Sequence, residues 1–204
     1  LKARWHQFIF GFYPQDQYWR PTLAFALMFA ALAPVLYSDS RRNVLVVIAV
    51  VALLLVLSLI GLDGSAAHVF EAIALMLALA AVAWLWPSKL LWFTVIYPAV
   101  AYFLLWGGSV WGPVGVLAGF AIMAGVALAL QARLGVVVAA AVGLIAASVW
   151  WLLVQTYVTT AIHAAIPLSL PTVSSDQFGG FLLAFTIGVS AISASLPIGI
   201  LLAL

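Results

Sequence analysis

The chain is 204 residues long, 68% hydrophobic and only 6% charged, with a mean hydropathy of +1.29; this leaves too few polar side chains to cover a water-soluble globule, whereas apolar runs of about 20 residues are what a hydrocarbon core roughly 30 Å thick requires. The composition points to an all-α, polytopic integral membrane protein, because a membrane barrel would show alternating segments of about ten residues and the runs here are continuous. Seven basic against five acidic residues are a handful of loop charges and no case for a nucleic-acid partner, and the lack of cysteine excludes disulfides, thiol catalysis and Cys-ligated metals.

Residues 1–20 interleave Trp5, Phe8, Phe10, Phe12, Tyr13, Tyr18 and Trp19 with Lys2, Arg4, His6, Gln7, Gln15, Asp16 and Arg20. This mixture reads as an interfacial aromatic segment at headgroup level, with snorkelling cations, before Pro21 starts a helix. About seven apolar segments follow, near 21–37, 44–62, 67–86, 90–106, 113–131, 134–155 and 178–204. Turn chemistry separates them: Ser38-Asp39-Ser40-Arg41-Arg42-Asn43, Leu62-Asp63-Gly64-Ser65, Pro87-Ser88-Lys89, Gly107-Gly108-Ser109, Gln131-Ala132-Arg133, and a long connection over 156–177.

Arg41, Arg42, Lys89 and Arg133 fall on alternate connections, while the intervening ones carry Asp63, Glu71 and Asp176 without a Lys or Arg. The excess of cations predicts that the first group faces the cytoplasm, which places the carboxyl end inside and the amino end outside. A basic amino end outside is explained most simply by an upstream segment that crosses first, and Leu1 in place of an initiating Met agrees with this. No apolar stretch followed by a small-residue cleavage site marks a signal peptide.

Three blocks carry a family resemblance. Phe10-Gly11-Phe12-Tyr13-Pro14 with Tyr18-Trp19-Arg20-Pro21, then the run from Tyr97 to Gly108, and finally Gln177-Phe178-Gly179-Gly180 with the run from Ser195 to Leu204, occur in an order that resembles the general L-amino acid ABC transporter permease of proteobacteria. In that family an amino-terminal helix precedes the first block, and an importer core with a cytoplasmic coupling loop follows the last. The resemblance therefore implies a piece lacking that helix and most of the core. It also implies an organisation into the interfacial segment 1–20, amino-terminal transmembrane helices over 21–155, a periplasmic connection over 156–177 and the first core helix over 178–204.

In the last segment Ala191, Ser195 and Gly199 recur at four-residue spacing, a small-residue stripe that lets another helix approach closely, and Pro197 predicts a kink whose freed carbonyl Ser193 could partner. Gly115 and Gly119 form a second such pair on the fifth span. Ionisable residues inside membrane helices tend to be functional, yet candidates are scarce. His68 and Glu71 stand at i,i+3 spacing near an exterior helix end, close enough to pair, and His6 and His163 read as isolated segment and loop residues. No phosphate loop, His-Glu-x-x-His or Gly-x-Ser-x-Gly occurs, so no catalytic, cofactor or metal site is expected and the substrate-binding residues are not identified.

The expected function is that of a permease subunit of an ATP-driven amino-acid importer in the bacterial inner membrane. The resemblance implies as partners an ABC ATPase subunit, a second permease subunit and a periplasmic amino-acid-binding protein, besides the lipid bilayer. Two alternatives stay open: a stand-alone anchoring or assembly protein, and a membrane-embedded enzyme acting on lipid or prenyl substrates through Glu71, His68 or His163. A secondary transporter fits less well, because inverted repeats with midplane charges are not evident.

Overall fold

The computed structural model describes residues 7–62 and 64–188, together with residue 191. Helices dominate it: α1 spans Trp19–Leu36, α2 Arg41–Gly61, α3 Ala66–Leu85, α4 Pro87–Trp106, α5 Trp111–Leu134, α6 Val136–Val149 and α7 Gln155–Ala165, with a π-helical turn at Trp150–Val154 joining the last two. Six stretches among the described residues are long and apolar enough to cross a membrane, Gln15–Leu36, Arg41–Gly61, Ala66–Leu85, Pro87–Trp106, Trp111–Leu134 and Val136–Ala165. Of the seventh segment expected from the sequence, residues 180–188 and 191 are described and are helical. The chain is an all-α, multi-pass membrane protein.

Two compact units divide it. Among the described residues, the first takes in the chain up to Pro98, Leu104–Trp106 and the residues from Val173 onward, and the second takes in Ala99–Phe103 and Gly107–Thr172. In the first unit α1 is the central helix and is rich in alanine: Ala24, Ala26, Ala30, Ala31 and Ala33 are all buried. Such small side chains let neighbouring backbones approach, which matters in a bilayer because lipid supplies no hydrophobic force to drive helices together. On α2 the buried residues Val44, Ile48, Val51, Leu55 and Leu59 form one stripe at steps of four and three, and on α3 Ala72, Met76, Leu79 and Ala83 do the same. The remaining faces stay apolar and exposed, as lipid-facing surfaces must.

Side-chain hydroxyls bind α4 to α1. Thr94 donates to the carbonyl of Ala31 at 2.7 Å, and Tyr97 donates to that of Ala24 at 2.9 Å. Both helices contain an internal proline, Pro34 in α1 and Pro98 in α4. Each removes the backbone donor for the carbonyl four residues earlier, that of Ala30 in α1 and of Thr94 in α4.

In the second unit α5 and α6 form a hairpin whose turn is Gly135 alone, at φ +77°. That value is disfavoured for residues with a Cβ, so glycine lets the chain reverse in a single step. Ala139, Gly143 and Ala147 are the buried face of α6, and a Cβ on Gly143 would sit 2.6 Å from the carbonyl oxygen of Met123 on α5. A two-residue antiparallel ladder pairs Gly108 with Leu170 and Ser109 with Ser169. Helical structure continues past position 155, where polar residues predict a connection. The apolar stretch Val136–Ala165 is 30 residues long, about 45 Å at the helical rise, so its last turns reach beyond a hydrocarbon core. The polar residues there are used on a helix: Gln155 donates to the Gly112 carbonyl at 3.4 Å, and the Thr159 hydroxyl to the Gln155 carbonyl at 2.8 Å. His163 lies on α7 and not in a loop, with Nδ1 3.2 Å from the Ser109 hydroxyl.

The closeness of α5 and α6 can be tested directly. Gly143→Val should lower stability by about 1–3 kcal/mol, because the added group meets backbone that cannot give way. Gly125→Ala, where a Cβ meets nothing within 4 Å, should be neutral or slightly stabilising through its better helix propensity. Thermal unfolding of both variants in detergent distinguishes them, and equal stability would refute the seam.

Candidate functional site

The most polar buried cluster in the first unit lies where α4 ends. A helix leaves its last four carbonyls without intrahelical partners, and burial makes each unmet acceptor costly. For α4 these are the carbonyls of Phe103, Leu104, Leu105 and Trp106. The Gly107 amide donates to Phe103 at 2.9 Å, and the Val173 amide donates to Trp106 at 2.9 Å. The Leu104 carbonyl receives Arg20 Nε at 2.7 Å and the Tyr13 hydroxyl at 3.4 Å, and the same hydroxyl donates to Leu105 at 3.0 Å. All four acceptors are met, two of them by side chains from the opening segment.

Arg20 is fully buried. The headgroup-facing, snorkelling position expected for it is therefore corrected: its guanidinium also donates to the Gln17 side-chain oxygen and lies 5.9 Å from the centre of the Tyr13 ring. The physical reason is electrostatic. A cation is favourable at the negative, carboxyl end of a helix, and the end of α4 offers that field in a site shielded from water, where hydrogen bonds from a charged donor are strong. Burial pushes the Tyr13 phenol up to about 12 from its ordinary value near 10, and the Arg20 charge pulls partly against this. Tyr13 thus stays a neutral donor throughout the physiological range.

A second junction ties the opening segment to the last helical segment. Gly11 has φ +68° and closes the helical turn at residues 7–10, its amide donating to the Gln7 carbonyl at 2.9 Å. It pairs with Phe178, and the Phe12 amide donates to the Gln177 carbonyl at 2.9 Å. A Cβ on Gly11 would lie 2.7 Å from the Gly179 Cα, so the two glycines are the closest approach of these strands of chain. Phe178 packs between Trp106 and Tyr13, with ring centres 5.0 and 5.8 Å away. Phe25 of α1 then receives Phe181 and Phe185 at 5.9 and 5.2 Å, which seats residues 180–188 against α1.

Gly115 and Gly119 are buried on α5. A Cβ on Gly115 would come within 2.8 Å of the Thr159 methyl, and one on Gly119 would collide with the Trp151 indole nitrogen. Trp150 and Trp151 complete this contact by donating their indole N–H groups to the Gly115 carbonyl at 2.8 Å and the Val116 carbonyl at 3.2 Å. Ala191 is helical and exposed, whereas Ser193, Ser195, Pro197 and Gly199 lie outside the described residues. His68 Nδ1 stands 3.5 Å from Glu71 Oε2, and the His68 ring stacks on Trp19 at 4.3 Å. Sequence reasoning missed the Tyr13–Arg20 pair as a site; the available signal was a cation beside Pro21 at the first turn of a membrane helix, where its own helix field disfavours it.

Comparison with known proteins bears on the family. Over all 204 residues the chain is 45% identical to the glutamate/glutamine/aspartate/asparagine transport system permease protein BztC of Rhodobacter capsulatus. Along its whole length the chain is therefore similar to an amino-acid transport permease protein. It spans 36% of that relative's length. No family model and no solved structure matches the chain.

The polar clamp at the end of α4 yields graded expectations. Arg20→Met should cost about 1–3 kcal/mol by removing the shorter, charged donor to the buried Leu104 carbonyl, and Tyr13→Phe about 1 kcal/mol, with Arg20→Lys in between, as read by thermal unfolding in detergent. The folded-state value of Tyr13 is raised, so its contribution is fully present below pH 10 and is lost as pH rises towards 12. Tyr13→Phe should accordingly flatten the loss of stability over that range; an unchanged alkaline profile would refute the buried phenol.

Proposed function

We propose that this chain forms the amino-terminal transmembrane region and the opening core helix of a permease subunit in an ATP-driven amino-acid importer. The observation that supports the reading is the 45% identity along the whole chain. By analogy with that relative's description, the substrates are glutamate, glutamine, aspartate and asparagine. The partners are an ABC ATPase that supplies the energy, a second permease subunit and a periplasmic amino-acid-binding protein, and the location is the bacterial inner membrane.

Within this reading residues 21–155 act as a scaffold. Charged side chains on the described spans stand near helix ends, and a path for charged amino acids needs polar partners at depth. Residues 7–20 then fasten the scaffold to the segment that follows residue 177, since Tyr13 and Arg20 donate to the end of α4 and Gly11 pairs with Phe178. Gly115 and Gly119 serve close packing.

Uptake of the four labelled amino acids should fall when the gene encoding the chain is deleted and recover when the intact gene is restored. Unchanged uptake of all four would overturn the importer reading. Orientation has its own test, helped by the natural absence of cysteine. In sealed inner-membrane vesicles of known sidedness, Ser88→Cys and Gln131→Cys should react with an impermeant maleimide from the cytoplasmic face, and Ala67→Cys and Ser174→Cys from the other. The opposite pattern would invert the topology.

A further inference from the structure

A cavity of about 280 Å³ opens in the first unit where the α1–α2 and α3–α4 turns meet. Its floor is apolar and buried, with Pro34, Ala83 and Leu90, and its rim is exposed and polar, with Ser38, Arg41 and Ser88. The Arg41 guanidinium is held 5.7 Å from the centre of the Trp84 ring, which fixes it at this mouth. Arg42 and Lys89 flank it, and Asp39 is the one acid in the two turns. Neither α2 nor α4 has an acidic residue in its first turn, and among the described residues no carboxylate pairs with Arg41.

These features describe the complement of an amphiphilic anion. We propose that the cavity binds an anionic phospholipid, its phosphate held by the Arg41 guanidinium with the Ser38 and Ser88 hydroxyls as donors and its glycerol and upper acyl carbons on the Pro34–Ala83–Leu90 floor. Both turns lie at one edge of membrane-spanning helices, where headgroups are found, and basic pockets between such helices are suited to phosphate headgroups. A free phosphate ion shares the recognition chemistry but leaves the apolar floor unused. Leu36 and Leu91, both exposed beside the site, continue the apolar surface towards the surrounding lipid. The planar guanidinium can engage two phosphate oxygens at once, which a lysine cannot.

The full chain in nanodiscs of phosphatidylcholine with a minor fraction of phosphatidylglycerol provides the test, with retained lipid counted by native mass spectrometry. The wild type should retain phosphatidylglycerol in preference to phosphatidylcholine. Arg41→Gln should reduce that preference about five-fold, the effect of one charge near a membrane surface, and Lys89→Gln should reduce it further. Arg41→Lys should keep part of it, and Arg133→Gln, a cation of the other unit, should leave it intact. Folding is checked by an unchanged elution profile, and Arg41 is exposed, so its loss disturbs no core. An unaltered preference in Arg41→Gln, or an equal loss in Arg133→Gln, would overturn the site. Displacement of the lipid by millimolar inorganic phosphate would overturn the lipid as occupant and leave a soluble anion in its place.

Discussion

Three carbonyl oxygens at the end of α4, those of Leu104, Leu105 and Trp106, set the conditions for the first unit. A helix ending at a membrane face cannot rely on water for every acceptor, and an unmet buried carbonyl costs as much as a hydrogen bond is worth or more. Here the donors come from stretches far apart in sequence, Tyr13 and Arg20 on one side and Val173 on the other. Residues 11–20 and 173–178 are therefore tied to one helix end and, through the Gly11–Phe178 pairing, to each other. Displacing either stretch exposes acceptors that nothing nearby replaces.

The way the spans pack follows from their solvent. In water a helix turns its apolar stripe inward, but a bilayer is as apolar as leucine, so the inward face is chosen by shape and by hydrogen bonds. Ala24, Ala30 and Ala31 on α1, with Ala139, Gly143 and Ala147 on α6, are the positions where backbones approach. Hydroxyl and indole groups add direction: Thr94 and Tyr97 in one unit, Trp150 and Trp151 in the other, each donate to a main-chain carbonyl of a facing helix. These contacts use groups that are silent in hydropathy.

The clamp has a counterpart at the other ends of the same helices. Phe178, held between Trp106 and Tyr13, fixes the start of the segment that leads into residues 180–188. The basic rim near Arg41 belongs to the opposite ends of the same helices, so one unit presents a sealed junction at one edge and an open, cationic cavity at the other.

Composition alone determined the class of this protein, because 68% hydrophobic residues in long runs admit few structures other than membrane helices. The turns at Arg41, Ser65 and Pro87 were equally plain, since charge and capping chemistry interrupt apolar runs, whereas the turn expected at Gln131-Ala132-Arg133 falls at Gly135. The end of the sixth span was not: Thr156, Thr159 and His163 look like a connection, yet the helix continues to Ala165 and His163 meets Ser109 from it. Arg20 was misread for a related reason. A cation among aromatics at a helix start suits the headgroup region equally well, and what draws it inward is the carboxyl end of a helix 84 positions away. Class and spans follow from local composition; the buried clamp and the inward faces follow from which distant groups meet, and uniform hydropathy carries no trace of that.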